Sequence, residues 1–173
     1  IFLAAIFVFS PSPLMERGKE SEVKFSTPTF AKVYKVIMVY LTRVEHFNAA
    51  HKLYNPQWSP QKNEEVFGKC ENENWHGHNY ELFVTVKGKV DAGTGFLCDA
   101  KKMSLLIKEF VLDKLDHKNL NIEVPFLKDK MCTTENVAMA IWQQLQPHLP
   151  TTVNLHCIKL YETPRIYVEY FGE

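Results

Sequence analysis

The chain has 173 residues, 46% of them hydrophobic and 23% charged, with 20 basic and 20 acidic side chains. That length suits one compact domain, or one domain with a tail, and the apolar content excludes a disordered chain. Zero net charge excludes a general nucleic-acid surface, which needs a basic face. Four cysteines are too few for a disulfide scaffold, so reduced thiols in a reducing, cytoplasmic compartment are expected.

The chain opens on nine apolar residues, Ile1 to Phe9. A membrane span needs roughly 20, so none is expected here. The run is long enough for the apolar part of an export signal but lacks a basic start. Ser10-Pro11-Ser12-Pro13 and a polar stretch to about Lys24 follow, without helical or strand period. Residues 1–37 read either as a truncated export signal or as an extension outside the domain, disordered, processed, untranslated or added by in-frame translation from upstream. The domain is expected over residues 38–173. Residues 1–37 carry five basic and three acidic side chains, which leaves the domain slightly acidic.

Patterning begins at Met38. Val39 to Phe47 mixes β-branched and aromatic residues and reads as a strand. Asn55 to Asn63 holds two prolines among polar residues and reads as a loop. From His76 to Val86 the alternation is clean, with His76, His78, Tyr80, Leu82, Val84 and Val86 on one face. Turn residues fill Gly88 to Gly95, and Phe96-Leu97-Cys98 reads as a short return strand. Asp99 suits a helix N-cap, with Met103, Leu106, Ile107, Phe110, Val111 and Leu115 behind it at helical spacing. Thr133 or Thr134 caps a second helix whose stripe is Val137, Ala138, Ile141 and Leu145. Leu155 to Glu162 and Ile166 to Phe171 read as strands around a turn at Thr163-Pro164-Arg165. The order β-β-α-α-β-β predicts an α+β domain, a four-stranded antiparallel sheet with two helices on one face. Its other face and open edges predict oligomerisation.

The histidines carry the chemical signal. On a strand, His76 and His78 point to the same side with roughly 6.5–7 Å between their Cα atoms, close enough for both rings to reach one metal. His51 ends the first strand, which should pair with the strand of His76 and His78. Three neutral imidazoles form an open zinc site with a fourth position for water or substrate. Cys70 lies six residues before His76. It is either a fourth ligand that closes the site or a free thiol beside the metal, where a cation promotes the thiolate and its use as base or nucleophile. Asp116-His117 is either a helix-end pair or a carboxylate that orients an imidazole for proton transfer. Glu135 and Glu162 each place a carboxylate at an element end, suited to paired N–H donors of a heterocycle or simply to a helix first turn and a turn flank. A cupin barrel is a rival for the H-x-H pair, but Glu81 follows His78 too soon and alternates to the other face.

Five segments matter together: Phe47-Asn48-Ala49-Ala50-His51, Cys70 through Trp75-His76-Gly77-His78-Asn79-Tyr80, Asp116-His117-Lys118-Asn119-Leu120, Thr133-Thr134-Glu135-Asn136 and Tyr161-Glu162-Thr163. In this order they resemble the 6-pyruvoyl-tetrahydropterin synthase and 6-carboxytetrahydropterin synthase family, from Met38 to Glu173. The family pattern usually has Gly before H-G-H, where this chain has Trp75. The resemblance implies the T-fold (tunnelling fold), in which subunits join their sheets into a barrel. Members are commonly hexamers, as two trimers, with sites between subunits. It implies that His51, His76 and His78 are the ligands of a zinc ion (Zn2+). Cys70 looks like the catalytic thiol, and Asp116 and His117 like its partner dyad. Glu162 looks like the anchor for the amino-pyrimidine edge, and Thr133, Thr134 and Glu135 like pocket residues. The implied substrate is 7,8-dihydroneopterin triphosphate, from which triphosphate is eliminated without a redox cofactor.

The implied product is 6-pyruvoyl-tetrahydropterin. The six-residue step from Cys70 to His76 is similar to that type. The alternative is 6-carboxytetrahydropterin with release of acetaldehyde, and an alternative of another class is a catalytically silent zinc- or pterin-binding assembly module. For a triphosphate, Lys52, Lys69 and Lys118 are candidate partners by proximity to the motifs.

Overall fold

The computed structural model describes residues 37–173, and the expectations for residues 1–36 lie outside them. Val39–His51 forms β1 and pairs antiparallel with β2, His76–Gly88, over its whole length. The register sets His51 opposite His76 and Ala49 opposite His78. Period two then puts Phe47, Ala49, His51, Tyr80, Leu82, Val84 and Val86 on one buried face. Two further strands, which we call β4 (Val153–Thr163) and β5 (Ile166–Tyr170), extend the sheet beyond β2.

The strand β4 carries an irregularity that matters for the site. Thr85 faces Cys157 but Val86 faces Leu155, so His156 is an extra residue. Such a bulge reverses the facing of everything beyond it. Leu155 and Ile158, three apart, are both buried, and Glu162 falls on the same side as Ile158 and Leu160. A second shift, between Tyr161 and Thr163 in the pairing with β5, falls at Glu162 itself.

The sheet has a fifth member, β3 (Lys118–Asn119), running parallel beside Ala49 and Ala50. It forms because the His117 N–H donates to the Asn48 carbonyl at 2.6 Å and the Leu120 N–H to the Ala50 carbonyl at 2.8 Å. The strand order is β3-β1-β2-β4-β5. The expected four-stranded antiparallel sheet is therefore a mixed five-stranded one, within the expected α+β class. The predicted return strand at Phe96–Cys98 is absent: Asp91 N–H and Phe96 O bond at 2.8 Å, which closes the loop on itself. The predicted loop from Asn55 holds the start of a helix, α1 (Pro60–Phe67), capped by the Ser59 hydroxyl with Pro60 in its first turn.

The other helices cover the buried sheet face. Asp99 caps α2 (Ala100–Ile107) by accepting from the Lys101 and Lys102 N–H groups. A wide π-type turn (Lys108–Leu112) leads into the short α3 (Asp113–Leu115). Residues four apart drift by about 40° per step around a straight α-helix. The wide turn offsets that drift and keeps Met103, Ile107, Val111 and Leu115 all buried. Thr133 caps α4 (Thr134–Leu145), which packs Val137, Ala138, Ile141 and Leu145 into the same core. The opposite sheet face is bare in the single chain, with Tyr40, Val44 and Tyr167 exposed. Among the described residues no helix is long and apolar enough to cross a membrane.

Candidate metal centre and catalytic residues

The β1–β2 register brings three imidazoles together. The ring of His51 lies 4.5 Å from that of His76 and 5.1 Å from that of His78, and one nitrogen of each falls within 4.8 Å of the others. His51 is 1% exposed. Its Nδ1 is 2.7 Å from the Cys132 carbonyl, which only accepts, so Nδ1 carries the proton and Nε2 keeps a free lone pair. His51 Nε2 and His76 Nδ1 are buried without a hydrogen-bond partner. Buried polar atoms rarely stay unpaired, and two ring nitrogens left without partners beside a third imidazole fit a metal ion. Burial is the main force pushing all three imidazoles below their ordinary range, which holds them in the neutral, ligating form. Between the two β2 histidines, a Cβ on Gly77 would lie 3.1 Å from the Ala49 carbonyl oxygen, so glycine permits this close strand approach.

The bulge in β4 delivers Glu162 to the same place. Its Oε1 is 3.4 Å from His51 Nε2 and 3.8 Å from His78 Nε2. The structure thus brings four of the expected residues together: His51, His76, His78 and Glu162. Cys70 is outside the histidine group. It lies on a tight turn (Gly68–Glu71) just after α1, and its carbonyl accepts from the Leu53 N–H at 2.8 Å, two residues past His51. Asn63, fully buried, braces this approach by accepting from Asn55 N–H at 2.7 Å and donating to the Asn55 carbonyl at 3.0 Å.

Asp116 and His117 form a pair at the β3 edge. Asp116 Oδ2 and His117 Nδ1 are 2.9 Å apart, and Asp116 Oδ1 accepts from the Asn48 N–H at 2.8 Å. That backbone bond, followed by the bond to His117, holds the Asp116 carboxyl below the usual carboxylate range. His117 is 78% exposed and sits at φ 57, a left-handed conformation of the kind concentrated at functional sites. It lines a groove with Asn48, Gly77 and Asn79. Asn48 and Asn79 face each other on the sheet side away from the helices. Among the described residues, no hydrogen bond joins this pair to Cys70 or to the histidines. Thr133 caps α4, Thr134 is buried and Glu135 is exposed in the first turn.

Three contributors lie outside the expected set. Cys132 supplies the carbonyl that fixes the His51 tautomer, a backbone role with no side-chain signal. Its own thiol is pushed up to about 11 by burial. Tyr80 continues the His76–His78 alternation, so period two alone points to it. Its hydroxyl is buried without a partner, and burial keeps it protonated. Asn48 positions Asp116 through its N–H.

Trp75 stands where the family pattern has glycine, and its φ is 65. An L-residue there is disfavoured by about 1–2 kcal/mol. Trp75→Gly should therefore be more stable than Trp75→Ala by about 1 kcal/mol, since both lack the ring and only the alanine clashes. Urea unfolding of the two variants measures this, and equal midpoints would contradict it.

The sequence profile of the 6-pyruvoyl tetrahydropterin synthase family matches residues 40–173. The chain is 45% identical over 127 residues to a 6-pyruvoyl tetrahydrobiopterin synthase of Homo sapiens, covering 73% of this chain and 87% of that protein. It is 44% identical over 135 residues to one from Dictyostelium discoideum, covering 78% and 97%. The structure of the Caenorhabditis elegans 6-pyruvoyl tetrahydropterin synthase superposes with a TM-score of 0.74 at 37% identity, covering 81% of this chain and 99% of that one. With that profile over most of its length, and these relatives, the chain belongs to the 6-pyruvoyl tetrahydropterin synthase family.

Proposed function

We propose that this protein is a carbon–oxygen lyase that converts 7,8-dihydroneopterin triphosphate to 6-pyruvoyl-tetrahydropterin with loss of triphosphate. The observation that carries the reading is the convergence of His51, His76 and His78 with two buried nitrogens left unpartnered. These three residues would hold zinc. Zinc in that position supplies Lewis acidity toward the hydroxyls of the substrate side chain.

The remaining chemistry falls to the protein's own groups. Cys70, as the thiolate, takes a proton from a side-chain carbon. At the hydroxyl-bearing carbon next to the ring, the electron pair of that C–H bond passes into the ring C=N bond, which takes up two protons as the carbinol becomes a carbonyl. At the next carbon, the C–H electron pair forms a double bond as the neighbouring C–O bond to triphosphate breaks, and the enol left behind becomes the second carbonyl. His117, oriented by Asp116, hands on the second proton that the tautomerisation requires. Glu162 anchors the amino-pyrimidine edge through paired N–H···O contacts. Thr133, Thr134 and Glu135 border the pterin pocket.

Among the described residues no hydrogen bond joins Cys70 to the dyad, and His117 is largely exposed. Both facts support a site completed between subunits, the dyad of one chain serving the thiol of another. An assembly of two trimers also covers the bare sheet face. Residues 1–37 stand outside this catalytic domain. Four free thiols, Cys70, Cys98, Cys132 and Cys157, support a reducing, cytoplasmic setting.

Zinc-loaded protein incubated with 7,8-dihydroneopterin triphosphate tests the reading, with products identified by mass. The pyruvoyl product is expected. The carboxy product with acetaldehyde assigns the second branch of the family, and bound zinc without any product assigns a silent binding module.

A further inference from the structure

We propose that Lys52, held against the rings of Trp75 and Tyr54, is the anchor for the substrate's triphosphate, and that Trp75 is the residue that positions it. The proposal rests on the reading of the site as a pterin triphosphate lyase site, and it names the group that receives the leaving anion.

Lys52 directly follows His51, so its backbone lies about 3.8 Å, one Cα step, from that of a residue of the histidine group. The next residue, Leu53, is bonded to the Cys70 carbonyl. Lys52 therefore sits in sequence between the metal site and the contact that fixes the thiol-bearing turn. Its own backbone is clamped on both sides by one side chain. Lys52 N–H donates to Asn121 Oδ1 at 3.1 Å, and Asn121 Nδ2 donates to the Lys52 carbonyl at 3.1 Å.

The ammonium is held by aromatic faces. Lys52 Nζ lies 4.8 Å from the centre of the Trp75 ring and 5.4 Å from that of Tyr54. Ring faces attract a cation without neutralising it. Among the described residues Lys52 has no carboxylate within ion-pair distance, whereas Lys118 is paired with Glu123 at 3.1 Å. Of the three lysines near the motifs, Lys118 is engaged, and among the described residues no aromatic ring holds Lys69. Lys52 is half-buried, with its backbone clamped by Asn121 and its ammonium held against two rings.

The conformation of Trp75 gives the second, independent line. It occupies a left-handed position at φ 65 that disfavours any side chain. The β1–β2 ladder ends at His51 opposite His76, and Lys52 and Trp75 are the residues that flank its end on the two strands. The ring at that position lies on Lys52. A domain with a slight acidic excess has no bulk positive field, so a triphosphate needs such a local cation. On the substrate, the triphosphate is carried by the carbon beside the side-chain diol, which brings it near the histidine group when the diol does.

The test measures binding of inorganic tripolyphosphate to zinc-loaded protein by calorimetry, beside steady-state kinetics. Lys52→Met should raise the tripolyphosphate Kd and the substrate KM by about 10-fold or more. Zinc content and the affinity for unphosphorylated 7,8-dihydroneopterin should not change. Lys52→Arg should rescue both constants to within about threefold, since it keeps the charge. Trp75→Gly should raise both by about threefold while kcat at saturation holds, the split expected of a positioning residue. Unchanged tripolyphosphate Kd in Lys52→Met would overturn the proposal, and so would loss of zinc from that variant. Lys52-dependent tripolyphosphate binding without turnover would support the anchor and overturn the activity, so the two readings fail separately.

Discussion

Cys70→Ala should lose turnover of the triphosphate substrate by about 10³-fold or more, while the variant still binds one zinc per chain. The reasoning is geometric. The nitrogens that could hold a metal belong to His51, His76 and His78, and the Cys70 sulfur is outside their group. Removing it therefore leaves every ligand in place. The turn that carries Cys70 is held by its backbone, through the Leu53 N–H, which alanine preserves. The loss should fall on kcat, since a proton-transfer group acts in the transition state. Metal analysis beside a rate measurement checks it. A variant that loses its zinc in proportion to its activity would make Cys70 a fourth ligand and the site a closed, structural one.

Mixing two inactive variants should restore activity. If the dyad of one subunit serves the thiol of another, Cys70→Ala and His117→Ala chains damage different halves of each site. Random reassembly at equal amounts then regenerates about one quarter of the sites in a symmetric oligomer. Each variant alone stays inactive, and co-unfolding and refolding of the pair supplies the exchange. No recovery from subunits shown to have exchanged would place thiol and dyad in one chain. His117 is suited to such a role by its exposure and by the 2.9 Å contact that Asp116 makes with its Nδ1, which leaves Nε2 free to face a neighbour.

Much of this was legible before any coordinates, for physical reasons that can be traced. The side-chain period of a strand is two, so His76, His78 and Tyr80 share a face whatever the rest of the fold does, and pairing with β1 sets His51 on that same face. Asp99 and Thr133 reveal helix starts because their oxygens satisfy the open N–H groups there. Other features carry no residue-type signal. His156 is an ordinary strand residue, yet as the extra one in β4 it turns Glu162 toward the histidines. Counting period two from Leu155 puts Glu162 on the wrong side. Lys118 and Asn119 are polar and only two residues long, and they become a strand because β1 offers open carbonyls at Asn48 and Ala50. The helix α1 did leave a signal in Ser59-Pro60, a cap followed by a proline in the first turn, but the density of polar residues and prolines from Asn55 obscures it. The carbonyl of Cys132, which sets the His51 tautomer, belongs to the backbone and is invisible to any reading of side chains.

The most direct measurement is a zinc titration of metal-stripped protein, counting the inorganic triphosphate released from 7,8-dihydroneopterin triphosphate at each step. Release should rise in step with bound zinc and saturate at one zinc per chain, with no turnover in the metal-free protein and no zinc uptake in His51→Ala. Full release by metal-free protein, or none from protein carrying its full zinc, would contradict a zinc-dependent elimination built on His51, His76 and His78.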